Sequence, residues 1–232
     1  MLWYKNWLET RFRLLFLLAV MGFMIFVQNS KPHPHGSSGG TAETMAFVTM
    51  TFINVVVAAA VFGGAGIATQ PSFATQRGTH GSTLFTVSLP VSRVRMLCVR
   101  AALGWCEVLA AMAVFCGAAW FALPWIRLLI TGREMLGYTV ALLTCGSMFY
   151  CVAVLLGSFL EDQWRAWGTM LVAGAFSYAA KRLHFPAFVD VFGGMSQLVL
   201  VHAMPWSAMV FSLCVSAALL VATARIVQLR EY

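Results

Sequence analysis

Apolar residues fall in long runs separated by short polar stretches along the 232-residue chain. The runs are Leu14 to Val27, Met45 to Thr69, Ala101 to Ile126, Met135 to Leu160, Trp164 to Ala180 and Trp206 to Ala224. A membrane-crossing helix needs about 20 mostly apolar residues, with a range of roughly 17–25. In hydrocarbon the backbone must satisfy its own hydrogen bonds, which favours helices. The pattern therefore predicts an all-α integral membrane protein with six transmembrane helices, one transmembrane domain over residues 1–232. Two runs are short. Leu14–Val27 needs Phe12 and Gln28, with Arg13 snorkelling, and Trp164–Ala180 carries Arg165 at its start. The third run is interrupted by Glu107 and Pro124.

The segments between runs have their own patterns. In residues 1–13, Trp3 and Trp7 are four apart, and so are Lys5, Glu9 and Arg13. On a helix these make one aromatic row and one charged row. The expectation is an amphipathic interfacial helix along the membrane surface, with a frayed charged tail as the alternative. "SKPHPHGSSGGTAET", Ser30 to Thr44, reads as a flexible loop. The segment from Gln70 to Arg100 is long for a connection between spans. Its Leu84, Phe85, Val87, Leu89 and Val91 need lipid or a partner to bury against, and Pro90 breaks any continuous helix. Residues 181–205 are apolar but interrupted by Pro186, Asp190, Gly193, Gly194, His202 and Pro205. Two short re-entrant helices before the last span are expected there, with a plain loop as the alternative.

Composition agrees with the pattern. The chain is 60% hydrophobic and 10% charged, against about 25% charged in a soluble domain. The net charge of +7 suits anionic lipid rather than nucleic acid. Basic residues in inner loops set orientation. With the N-terminus inside, Lys5, Arg11, Arg13, Arg77, Arg93, Arg95, Arg100, Arg165, Arg225 and Arg230 lie inside, ten in all. Lys31, Arg127, Arg133, Lys181 and Arg182 lie outside, five in all. Ten against five predicts both termini in the cytoplasm. The basic N-terminus and its apolar run resemble a signal peptide, but "QNSKPHPH" offers no small-x-small cleavage site, so an uncleaved first span is expected. The six cysteines sit in or beside apolar runs without any CxxC, which points to buried thiols rather than disulfide or zinc frameworks.

No GxxxxGK[ST], HExxH, GxSxG or dinucleotide fingerprint is present, so the chain is expected not to be an enzyme and to need no cofactor of its own. Glu107 is the one ionisable residue well inside a span, seven residues after Arg100 and on the same helical face. It reads either as a polar contact in the bundle interior, with Arg100 or a partner helix, or as a snorkelling structural carboxylate. His33, His35, His184, His202 and Asp190 face outward and suit either a metal site or solvated side chains. Ala59/Gly63 and Ala60/Gly64 repeat the small-xxx-small spacing of close helix packing.

Three stretches carry a family resemblance: "WLETRFR" before the first span, "GGAGIATQ" at the end of the second, and "RGTHGSTLFTVSLPVSRVRMLCVRAALGWCE" leading into the third. Together with the six-span plan, they resemble the permease subunits of bacterial ABC-2 type transporters. The resemblance implies a permease of an ATP-driven exporter in the bacterial cytoplasmic membrane. Two permeases, alike or different, would form the pathway. Separate cytosolic ATPase subunits would carry ATP and magnesium. It places Glu9 and Arg11 near the ATPase. It makes residues 70–96 a coupling segment, in which Arg77, Leu84, Phe85, Leu89, Pro90, Ser92 and Arg93 form or flank the contact. Glu107 becomes the family-like carboxylate of the third span, with Arg100 and Glu107 as the candidate intramembrane polar residues read from the sequence. The alternatives are a membrane-embedded enzyme with an outer-face His/Asp site, and a scaffold that recruits a cytosolic partner.

Overall fold

The computed structural model describes residues 2–30, 39–63, 93–160, 162–183, 185–186 and 188–229. Among the described residues every regular element is a helix: α1 Leu2–Asn29, α2 Gly39–Phe62, α3 Arg93–Ala122, α4 Pro124–Leu129, α5 Gly132–Gly157, α6 Asp162–Arg182, α7 Val191–Val201 and α8 Trp206–Leu229. Five of them are long and apolar enough to cross a membrane, over Thr10–Asn29, Thr44–Phe62, Leu97–Ala122, Gly132–Gly157 and Trp206–Leu229. The chain is a multi-pass, membrane-embedded helical protein.

The long helices alternate in direction. At one end, the base, α1, α3 and α6 start while α2 and α5 finish. At the other, the rim, α5 and α8 start beside α4 and the end of α7. Helix α5 is central, packed against α2, α3, α6, α7 and α8. Its buried face includes Tyr138, Leu142, Cys145, Phe149 and Val154. Hydroxyl pairs bridge helices inside the bundle. Ser147 on α5 lies 2.8 Å from Ser216 on α8, and Thr51 on α2 bonds Tyr138 on α5. In a membrane such bonds and close packing hold helices together, because lipid supplies no hydrophobic drive between them. Phenylalanine, leucine and tryptophan cover the outer surface, including Phe16, Phe23, Phe121, Trp164, Leu171 and Trp206.

Three elements differ from the pattern-based expectation. Helix α1 is continuous from Leu2 to Asn29, so residues 1–13 do not form a separate surface helix. The reason is local: residues 2–29 contain no proline, and Gly22 is the only glycine. At 1.5 Å per residue its 28 residues reach about 42 Å, beyond a hydrocarbon layer of about 30 Å, so its first turns project from the base. The third apolar run is split. Helix α3 ends at Ala122 and Pro124 opens α4 from its first turn, where a missing N–H costs nothing. Within residues 181–205 the described part holds one short helix, α7, rather than two.

Candidate functional site: the polar base of the bundle

Several interhelical polar contacts meet at the base, around the end of α2 and the start of α3. Among the described residues helix α2 ends at Phe62. Gly63 N–H takes the Ala59 carbonyl at 2.8 Å. Arg165, near the start of α6 and 1% exposed, donates Nη2 to the carbonyls of Ala60 at 3.4 Å and Val61 at 3.3 Å. A buried cation is tolerable there because it meets backbone carbonyls at the negative end of the α2 dipole. Sequence reading noted Arg165 only as a charge at the margin of a short run. Its signal was present: an arginine one turn into a hydrophobic helix must either snorkel or find an acceptor.

Glycines bring α2, α3 and α5 together at this point. A Cβ on Gly63 would lie 2.5 Å from the Ala153 Cβ of α5, and one on Gly104 of α3 would lie 2.9 Å from the Phe62 carbonyl oxygen. The same Gly104 Cβ would lie 2.7 Å from the Tyr150 hydroxyl. That hydroxyl donates to the Ala101 carbonyl at 2.6 Å, and the Tyr150 ring packs against Trp105 with centroids 5.1 Å apart. Ala59 and Ala60 are fully buried, and Gly63 continues that face. The small-residue spacing of α2 therefore serves close packing; Gly64 lies outside the described residues.

Glu107 is 3% exposed one turn above Gly104. Thr10 of α1 donates its hydroxyl to Glu107 Oε1. Arg13, one turn further along α1, exerts a favourable charge interaction on the same carboxylate. The bundle-interior contact expected of Glu107 thus runs to α1. Glu107 Oε2 is buried with no hydrogen-bond partner among the described residues. Thr10 was absent from the sequence-based candidates, because no local pattern marks one threonine as the partner of a residue 97 positions away.

The other candidates distribute as follows. Glu9 and Arg11 lie in the base portion of α1, where Arg11 is exposed with Cζ 4.8 Å from the Phe12 ring centre. Arg93 opens α3, and Arg100 lies two turns into it, half-buried. Arg77, Leu84, Phe85, Leu89, Pro90 and Ser92, with most of the 70–96 segment, lie outside the described residues, as do His33, His35 and His184. Asp190 and His202 sit at opposite ends of the 11-residue α7, so the two are not gathered into one site. Asp190 caps α7 by accepting from Gly193 N–H at 2.9 Å. Among the described residues no group of three metal-ligating side chains converges.

Toward the rim, a groove of about 560 Å³ lies between α1 and α2. Val20, Phe23, Met24, Met50 and Ile53 line it, with Gln28 and Thr49 as its polar members.

Comparison with protein-family models, curated proteins and solved structures returns no match for this chain.

Proposed function

We propose that the protein is the permease subunit of an ATP-binding cassette exporter. In this reading it forms a translocation pathway as a dimer and is driven by a separate cytosolic ATPase. One observation carries the reading. The two helices that flank residues 64–92, α2 and α3, are tied at the base to α1, α5 and α6 through Arg165, Tyr150, Gly63, Gly104 and the Thr10–Glu107 bond. A force applied between α2 and α3 would therefore move the whole base. A permease without its own nucleotide site needs a connection of this kind. The chain has no P-loop, and the resemblance places the coupling contact at Arg77, Leu84, Phe85, Leu89, Pro90, Ser92 and Arg93, between the same two helices. The projecting start of α1, with Glu9 and exposed Arg11, adds a second surface on that side.

In the same reading α6 is the sixth span, the base faces the cytoplasm of a bacterial inner membrane, and both termini are inside. The 21 residues of α6 reach about 31 Å. Its charged residues are Asp162, Lys181 and Arg182 at its ends and Arg165, which points into the bundle, while Trp164, Trp167, Leu171 and Tyr178 face outward. Helix α7 would be re-entrant. Its 11 residues rise about 16 Å, half the hydrocarbon thickness, from Phe192 beside mid-span Phe52 to the rim. The apolar groove between α1 and α2 favours a hydrophobic or amphipathic cargo over a small ion.

The test is affinity purification from the native membrane in mild detergent, with mass spectrometry of what accompanies the chain. A co-purifying ATPase lost on L89D and R93E supports both the function and the contact. An ATPase that survives those changes moves the contact elsewhere. No ATPase under mild conditions overturns the reading.

A further inference from the structure

Helix α7 is held at both ends by different chemistry. At its start the Phe192 ring stands edge-on to Phe52 of α2, with centroids 5.7 Å apart at 88°. Gly194 lets it close on the start of α8, where a Cβ would lie 3.0 Å from Pro205. At its finish His202 adopts φ 55° and ψ 24°, the one left-handed non-glycine residue among those described. An L-residue enters that region only at a steric cost. The turn directs His202 Nδ1 to Glu134 Oε1 at 2.8 Å.

Glu134 is fixed from its other side. Its Oε2 accepts from Thr131 N–H at 2.7 Å and from Thr131 Oγ1 at 2.9 Å, in a capping box that starts α5. The carboxylate is therefore a preset receptor, and the histidine is the arm that docks on it. Just beyond, the Met204 sulfur sits 3.6 Å from where a Cβ on Gly137 would stand, so the chain after α7 lies flat on α5.

Imidazole is the side chain whose charge changes between about pH 5 and 8. Neutral, it gives Glu134 an ordinary hydrogen bond. Protonated, it gives a charge-assisted one of roughly twice the strength. We infer that the His202–Glu134 pair is a proton-operated latch that holds the rim end of α7 on α5 and releases it as the rim-side solution becomes alkaline. The direction follows from charge: a protonated imidazole holds the carboxylate more strongly than a neutral one.

Among the described residues near this pair, Arg133 of α5 is exposed beside Glu134 and adds a positive charge. Tyr138, one turn deeper on α5, is buried and bonded to Thr51. Asp190 lies at the far end of α7, engaged with Gly193. Helix α2 carries Glu43 near its rim end and no titratable residue from Thr44 to Phe62, and α8 has Cys214 and Arg225, both well past its first turn. The latch stands whether or not the chain is an exporter subunit.

The test uses the full chain in lipid nanodiscs, with its six cysteines replaced and spin labels placed at exposed Val201 and Leu136. Inter-label distances are measured at pH 5.5 and pH 8. An exposed pair shifts such an equilibrium by about two- to fivefold. The wild-type residues at 134 and 202 should give a larger docked fraction at pH 5.5 by that factor. H202Q and E134Q should give the same distribution at both values, and H202K should stay docked at both. Equal distributions for the unsubstituted pair, or a pH response that survives in H202Q, would overturn the latch. Where the cysteine-free chain does not fold, melting temperatures of the native-cysteine protein replace the distances. H202Q should then lose more stability at pH 5.5 than at pH 8, and an equal loss at both overturns the proposal.

Discussion

The Arg165 guanidinium of α6 lies 3.3 Å from the Val61 carbonyl of α2, in the last turn of that helix. The two residues are 104 positions apart, and the Arg165 side chain is buried. It performs two tasks: it donates to carbonyls of the last turn of α2, and it anchors α6 to the base. Replacing Arg165 with alanine removes the donor from the Ala60 and Val61 carbonyls. An unmet buried polar group costs about 1–3 kcal/mol. R165A should therefore lower the melting temperature in detergent and reduce the folded yield. R165K keeps the charge but loses the planar fork, so it should recover part of the loss. A melting temperature equal to wild type for R165A would show that the cap contributes nothing.

Glu107 and Thr10 join α3 to α1. Interhelical hydrogen bonds inside membranes contribute about 0.6 kcal/mol on average and up to about 1.7. A double-mutant cycle with T10V and E107Q should give a coupling energy in that range. E107A should cost more than E107Q, because it also opens space beneath Arg13. Additive single effects would mean that the two side chains are neighbours without being partners.

Gly104 is where three helices meet, and its substitution is a steric test. Alanine places a methyl 2.9 Å from the Phe62 carbonyl oxygen, a backbone atom that cannot rotate away. Overpacking of this sort costs about 1–3 kcal/mol. G104A should destabilise the protein, while G117A should be neutral or stabilising, since a Cβ at Gly117 meets nothing within 4 Å. Equal behaviour of the two variants would remove the close approach of α2 and α3 from the account.

The fold class was legible because hydrophobic runs follow directly from the solvent. The runs at Met135–Leu160 and Trp206–Ala224 match α5 and α8 to within a few residues, since lipid punishes any interruption of their backbone bonds. Residues 1–13 were harder to read. Their amphipathic rows are real in sequence, but nothing between Lys5 and Leu14 breaks a helix, so α1 runs straight through. The site was half legible. A lone carboxylate inside a span announces itself, and Glu107 did. Its partner Thr10 did not, nor did Tyr150 as the donor to Ala101, because such pairings are set by how helices dock and leave no mark in local spacing. Arg165 was visible as a charge, while its destination at the end of α2 belongs to tertiary structure.

Helix α6 decides the span count, and with it the side on which the C-terminus lies. Five spans put the termini on opposite sides of the membrane; six put them on the same side. The helix has the length to cross, and its buried polar atoms, Arg165 and Thr169, face other helices rather than lipid. A crossing therefore leaves no charge in hydrocarbon. Single cysteines at Gln163 and Arg182, both exposed, should label from opposite sides with a membrane-impermeant maleimide, once the native cysteines, of which Cys98, Cys106 and Cys214 are exposed, have been replaced. A cysteine at Leu229 should label from the same side as one at Trp7, and from the side of Gln163. Labelling of 163 and 182 from one side would turn α6 into a surface hairpin with α7. It would also move the C-terminus across the membrane and remove the six-span permease plan.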